Sequence, residues 1–375
     1  MSARRSGAPA YAVEIANSYE EVAARWEAMR RAGAALAFQS ETWLSAWYAH
    51  VAPGERATPL LATIVDRQSG RDVAALPLAR RVINGVGHIE FADSGLTDYN
   101  APILGAPDDA IDGRALSYAL RVALPAADTL RLRKMPELIG ASRNPLASAS
   151  GARASRLHGN ILEAPDAWDD WHFGLERTFR KEIERSLRVF ERRGGIFRRV
   201  LDGDDAKRVF AELKRLQRAR IAELGHPYIL DTPHIDAFYD QVLETGLKRG
   251  DVVLTSLEAG GEVVAALLGL VKDNRFVMVR LGVAGGDWKN CSPGRLMIER
   301  TMKHLHGEGR RIFDFTIGDY AYKRRLGAVE TQLVDADAAL SWRGAPMVAG
   351  ERLRSAARRS PTVMAAARWI RARAS

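Results

Sequence analysis

The apolar positions of the chain change period several times, and the changes mark its elements. Tyr11 to Ile15 alternates as a strand does. Ser18 then opens a helix, Tyr19 to Arg31, with Glu20 and Glu21 in the first turn where the helix dipole favours them. A second helix, Glu41 to His50, carries Trp43, Leu44 and Trp47 on one face, a core anchor before anything else. Three strands follow in quick succession, Pro59 to Val65, Asp72 to Val82 and His88 to Phe91, joined by short turns as in an antiparallel meander. The polar stretch Phe91 to Asn100 reads as a functional loop. A helix, Asp109 to Leu124, and a strand, Thr129 to Leu132, complete this half, and Pro136 to Gly159 reads as a linker or long surface loop.

The second half repeats the order. Trp168 to Arg193 reads as one long helix with Phe179, Ile183, Leu187 and Phe190 as its apolar stripe and arginines around it. Ile196 to Leu201 is a strand, Asp204 to Leu224 and Pro233 to Lys248 are amphipathic helices, and Val252–Glu258, Glu262–Val271 and Arg275–Val283 form a second meander. A loop from Asp287, a helix to His306 and a strand at Ile312–Phe315 come next. The connection from the Arg275 strand through that helix is long enough for a parallel crossover, so a parallel pair should end an otherwise antiparallel sheet. The expected class is α/β with a mixed sheet, and the repeated order, including Asp98-Tyr99 and Asp319-Tyr320 as matching polar loops, suggests an ancient duplication.

The chemistry concentrates between Asp287 and Gly327. Ser292 is a suitable N-cap, Pro293 a suitable first helical residue, and Gly294 lets the backbone approach a ligand. The free N–H groups, with Lys289 and Arg295 beside them, make the helix tip an anion site suited to a coenzyme pyrophosphate; a plain helix start is the competing reading.

At 375 residues the chain has room for two domains, and 47% hydrophobic with 27% charged residues is a globular composition. A formal charge of +9 points to an anionic partner: a phosphorylated cofactor, nucleic acid or a lipid surface. Heavy use of Ala, Arg and Gly is also the habit of a GC-rich bacterial genome. Cys291 is the only cysteine, which excludes an intrachain disulfide and a cysteine-rich metal site and suits a cytoplasmic location. No histidine spacing suggests a metal. The start of the chain lacks the apolar core of a signal peptide, and no run is long enough to span a bilayer. The basic tail from Ala349 offers a weak amphipathic helix, with peripheral membrane contact as one reading and a frayed end as the other.

Phe38-Gln-Ser-Glu-Thr-Trp43, Leu76-Pro-Leu78, Asp98-Tyr99, Phe179-Arg-Lys181, Ser292-Pro-Gly-Arg-Leu296 and Phe313-Asp-Phe-Thr-Ile-Gly-Asp-Tyr-Ala-Tyr-Lys323 occur in an order that resembles a known family. The C-terminal half resembles the GNAT superfamily of acyltransferases. The whole chain resembles the CelD-like acetyltransferases linked to cellulose and exopolysaccharide biosynthesis, double-GNAT proteins related to the Fem peptidyltransferases. The resemblance implies tandem GNAT-like domains: residues 1–135, a linker at 136–160, a catalytic domain at 161–345, and a basic tail at 346–375. It implies acetyl-CoA or another acyl-CoA as co-substrate, with the pyrophosphate on the backbone from Asn290 through Ser292, Gly294 and Arg295 to Leu296. Pantetheine would lie along the strand that carries Leu281 and Val283.

Direct transfer to an acceptor, a sugar or polysaccharide precursor, needs positioning, a base and an acid more than a nucleophile. The candidates are Asp319 as base, Tyr322 as acid toward sulfur and Lys323 as a cation. Asp314 is a further candidate base, though a strand-end residue bonded to a neighbouring loop is the plainer reading. Asp98 and Tyr99, from the other half, and Arg180 and Lys181, on the basic helix, are candidates for the acceptor. Two alternatives remain: a Fem-like transferase using aminoacyl-tRNA, which the basic helix favours, and a non-catalytic double-GNAT module.

Overall fold

The computed structural model describes residues 9–105, 111–149, 151–225 and 228–359. The tail beyond residue 359, with much of the expected amphipathic helix, lies outside the described residues.

A single mixed sheet of thirteen strands runs through both halves. From one edge it passes through Tyr11–Ala16, Thr58–Asp66, Asp72–Ile83, Val86–Phe91 and Thr129–Pro136. It continues through Val329–Ala339, Ala152–Glu163, Ile312–Asp314, Arg275–Val283, Glu262–Lys272 and Val252–Ala259 to Ile196–Val200, with the two-residue Ile103–Leu104 paired on Asp72–Ile83. Each half supplies the expected meander, and each ends in one parallel pair: His88–Glu90 with Thr129–Arg131, and Arg275–Val277 with Ile312–Asp314.

The centre of this sheet departs from the sequence reading. Residues 152–163, of which all but the last three fall in the expected linker, form a twelve-residue strand that pairs with Ile312–Asp314 of the second half. Conversely, Val329–Ala339, the last strand of the second half, pairs with Thr129–Pro136 of the first. The two last strands also pair with each other. Their polar composition (Arg153, Ser155, Arg156 and His158) hid them, because this part of the sheet is only half buried and half-buried strands tolerate polar residues.

The expected long helix is two, Trp168–Gly174 and Arg177–Arg192. The break comes after Gly174, where Leu175 turns extended (φ −65°, ψ 151°) and buries its side chain. The expected equivalence of Asp98-Tyr99 with Asp319-Tyr320 also fails: the first pair follows the third meander strand, the second the parallel strand.

Of three apolar clusters, one is shared by the halves. Trp43 is fully buried, with its ring 4.8 Å from that of Phe238 and its Nε1 donating to Thr97 Oγ1 at 3.1 Å. Beside it, Thr42 Oγ1 donates to Asp251 Oδ2 at 2.6 Å. Truncating a buried tryptophan costs about 3–5 kcal/mol. Trp43→Ala is therefore expected to lower the single urea unfolding transition of the whole chain by about that amount. Two separable transitions in the wild type would contradict the shared core.

Candidate active site

The parallel pair at Arg275–Val277 and Ile312–Asp314 is three residues long, whereas Arg275–Val283 runs on for six more. Beyond Val277 that strand keeps its other partner, Glu262–Lys272, with a bulge at Val279, since Leu268 faces Arg280 and Gly269 faces Met278. Bulges bend a strand away from its neighbour. The result is a free edge from Met278 to Val283.

At the far end of this edge stands the tip of the Pro293–Gly307 helix. Gly294 packs so closely on Val283 that a Cβ would lie 3.1 Å from Val283 Cγ1. A cleft of about 590 Å³ opens there, lined by Val283, Ala284, Lys289, Ser292, Gly294, Arg295 and, from the facing Gly203–Glu223 helix, Arg215 and Arg220. Cations outnumber its one carboxylate, Glu223.

The details of the tip differ from expectation. Ser292 does not cap the helix with its side chain: its backbone is left-handed (φ 45°) and its hydroxyl accepts from Arg295 Nη2 at 2.9 Å. The N–H groups of Arg295 and Leu296 both turn to the Ser292 carbonyl at 3.1 Å. Pro293 has no N–H, so Gly294 supplies the remaining donor. Arg295 is not a free cation, for it pairs with Glu182 and lies over the Phe179 ring. Lys289 is exposed; Asn290 sits in the preceding turn, also exposed, and Leu296 is buried in the core. Leu281 is half buried on the free edge, and its carbonyl accepts from Gln217 Nε2 at 3.2 Å.

At the opposite end, where the parallel strands part, Asp314 is completely buried. Its carboxylate accepts from the Tyr99 hydroxyl and the Thr316 N–H, each at 2.8 Å, and faces Arg275 Nη1 at 3.3 Å. Burial raises its pKa from 3.8 to about 6, with Arg275 and Tyr99 opposing the rise. This is the strand-end role, not a base open to substrate. Thr316 carries φ 58°, costly for a β-branched residue. It is held by Asp314 on its N–H and by Asn160 Nδ2, at 2.8 Å, on its carbonyl.

Lys323 is buried and donates to the carbonyls of Thr316 and Ile317 at 3.1 and 2.7 Å. Desolvation lowers its pKa to about 8. It ties the loop together rather than reaching outward. Asp319 does the reverse: its side chain is 67% exposed and ion-paired with Arg324, which holds its carboxyl below the usual range. That makes it a weak base. Tyr322 is partly buried, and desolvation pushes its hydroxyl up to about 12, so it stays protonated at neutral pH.

Asp98 and Tyr99 do come from the first half to this point. Tyr99 is buried on Asp314, while Asp98 is only partly buried, bonds to Thr316, and has its pKa raised by desolvation. Arg180 and Lys181 point apart: Arg180 folds back on the Phe173 carbonyl at 3.0 Å, and Lys181 faces solvent. The thiol of Cys291 is buried and raised by desolvation, which leaves it inert as a nucleophile.

The reading of the sequence missed Asn160, Gln217, Tyr228, Arg275, Thr316 and Arg280. For Arg280 a signal existed, since it is the one cation inside an otherwise apolar strand.

Residues 177–324 match the sequence model of the Acetyltransferase (GNAT) domain. They contain the free edge, the helix tip and the Asp319 loop, whereas Asp98, Tyr99 and Asn160 lie outside them. No curated protein matches the chain by sequence. Among solved structures the chain is similar to FemX, with TM-score 0.57 and 13% identity over 83% of this chain and 95% of that one. It is also similar to a conserved protein from Bacteroides thetaiotaomicron, with TM-score 0.53 and 12% identity over 88% of this chain and all of the other. A third is the C-terminal domain of a protein described as a lysylphosphatidylglycerol synthetase from Agrobacterium fabrum, with TM-score 0.51 and 11% identity over 88% and 95%. At these identities the likeness is one of fold, the mixed sheet that runs through both halves.

The buried carboxyl of Asp314 makes a prediction on stability. Its folded pKa lies above its unfolded one, so folding takes up a proton between the two values. Stability relative to Asp314→Asn is expected to fall as pH rises from 3.8 to about 6 and to level off above. Urea unfolding of both proteins between pH 4 and 7.5 checks this; a difference independent of pH would contradict it.

Proposed function

We propose that the chain is an acyl-CoA-dependent acyltransferase of the CelD-like kind, which transfers an acetyl or related group directly to a sugar or polysaccharide precursor. The observation that carries the reading is the free edge from Met278 to Val283 ending at an open, cation-lined helix tip. The fit is good: a strand edge can pair with the amides of pantetheine, and Gly294 N–H with Lys289, Arg215 and Arg220 can meet a pyrophosphate.

The thioester supplies an activated acyl carbon. A backbone N–H of the free edge polarises its carbonyl. The acceptor amine or hydroxyl forms the new C–N or C–O bond and gives its proton to Asp98. The raised pKa of Asp98 makes it a better base than Asp319. The C–S bond breaks and the leaving sulfur takes a proton from Tyr322. Lys323 and Asp314 hold the loop in place. Calorimetry with coenzyme A is expected to give micromolar binding that Gly294→Asp and, separately, Lys289→Glu weaken at least tenfold. Asp98→Asn should bind normally and lose about 10²-fold or more in turnover. Equal affinity in wild type and both tip variants would overturn the donor assignment.

A second reading has its own observation. Arg177, Lys181, Arg185, Arg188 and Arg192 lie exposed along one face of Arg177–Arg192, with no ion-pair partner among the described residues. They span roughly 22 Å at 1.5 Å per residue. Such a stripe suits a polyanion, and it favours a Fem-like donor, aminoacyl-tRNA, over acyl-CoA. On that reading tRNA binds tightly at ~50 mM salt, weakens steeply by ~200 mM, and is lost in Lys181→Glu/Arg185→Glu, while coenzyme A does not bind. Coenzyme A binding that the double variant leaves intact would dismiss it.

A further inference from the structure

A buried charge on the strand that carries the free edge is not used by the proposed chemistry. Arg280 lies on the free edge, 3% exposed. At about 3.3 Å per residue it stands roughly 10 Å from Val283 and the helix tip. Its Nε and Nη2 donate to Gln217 Oε1 at 2.9 and 2.6 Å, and Nη2 donates also to the Tyr228 hydroxyl. The guanidinium lies 4.5 Å from the centre of the Tyr239 ring. Its remaining nitrogen, Nη1, is buried and has no hydrogen-bond partner.

All these neighbours are neutral. The carboxylate of Asp231 feels the charge of Arg280, but its two oxygens are bound to Arg218 at 2.5 and 2.9 Å. No carboxylate among the described residues lies within ion-pair distance of Arg280. A buried guanidinium keeps its charge. Taking it out of water is costly, and a ring face returns only part of that cost. The cost is recovered when an anion completes the pair, and the idle Nη1 is the donor left for it.

We propose that Arg280 is the recognition point for an oxyanion, carboxylate or phosphate, carried by the acceptor. In its function, though not in its binding test, this rests on the transferase reading above. It narrows the acceptor from any sugar to an acidic or phosphorylated one.

The test is thermal unfolding of the full chain in chloride, acetate and phosphate at equal ionic strength, for wild type, Arg280→Met and Lys289→Glu. Acetate or phosphate is expected to raise the wild-type midpoint by several degrees and to leave Arg280→Met unmoved. A response to acetate alone assigns a carboxylated acceptor, and one to phosphate alone a phosphorylated one. Arg280→Met in chloride should fold, because the Tyr228 hydroxyl still serves Gln217 Oε1 at 3.0 Å. If it does not fold, Arg280→Lys replaces it and must need about tenfold more anion for the same shift. The proposal is overturned if neither anion moves the wild type, or if the shift is unchanged in the Arg280 variant. It is overturned equally if the shift vanishes only in Lys289→Glu, which would place the anion at the helix tip. Since no coenzyme is present, failure here is distinct from failure of the donor site.

Discussion

The carboxylate of Asp314 is the constraint on which the rest of the molecule depends. It sits at the last paired residue before the parallel strands part. It holds Tyr99 of the first half, the N–H of Thr316 in the turn that follows, and Arg275 on the neighbouring strand. Two halves, one turn and one strand end are thus fixed by two oxygens. A buried carboxyl costs free energy unless its lone pairs are filled, and here they are filled from three directions. This specifies where the sheet stops being a sheet.

The exchanged last strands serve the same end. Because Ala152–Glu163 completes the second half and Val329–Ala339 the first, neither half can move its cleft without disturbing the other. Asn160, on the exchanged strand, holds the carbonyls of Thr316 and Gly318 at 2.8 and 3.2 Å. The left-handed Thr316, on whose carbonyl the buried Lys323 also bonds, is then supported by a group from outside its own segment. Backbone strain of this kind persists only where the surroundings over-determine it, and here it shapes the floor beneath Asp98.

Much of the fold was legible because its meanders are apolar runs punctuated by Gly-Gly and Asp-Arg-Gln-Ser-Gly turns, and its helices are amphipathic. What was not legible was long-range. Residues 152–160 looked like a linker because a strand with polar side chains shows no alternation that a window can detect. Of the proposed site, the parting of the parallel strands and the helix tip beside it followed from local patterns, and Asp98 with Tyr99 was named as a pair that could reach across from the first half. The roles of individual polar residues did not. Asp319 and Lys323 occupy the expected loop, but one is exposed on Arg324 and the other buried beneath carbonyls. Ser292 has a capping residue's identity and a left-handed backbone that prevents capping. Such outcomes depend on packing partners remote in sequence.

The transferase reading stands or falls on the edge from Met278 to Val283 being open to a ligand's backbone-like amides. Amide hydrogen exchange of those residues, with and without coenzyme A, tests it most directly. The edge-facing amides are expected to exchange quickly in the free protein and to slow markedly when coenzyme A is added, while those bonded to Glu262–Lys272 stay protected throughout. Protection that is already complete in the free protein, or that coenzyme A leaves unchanged, would contradict it.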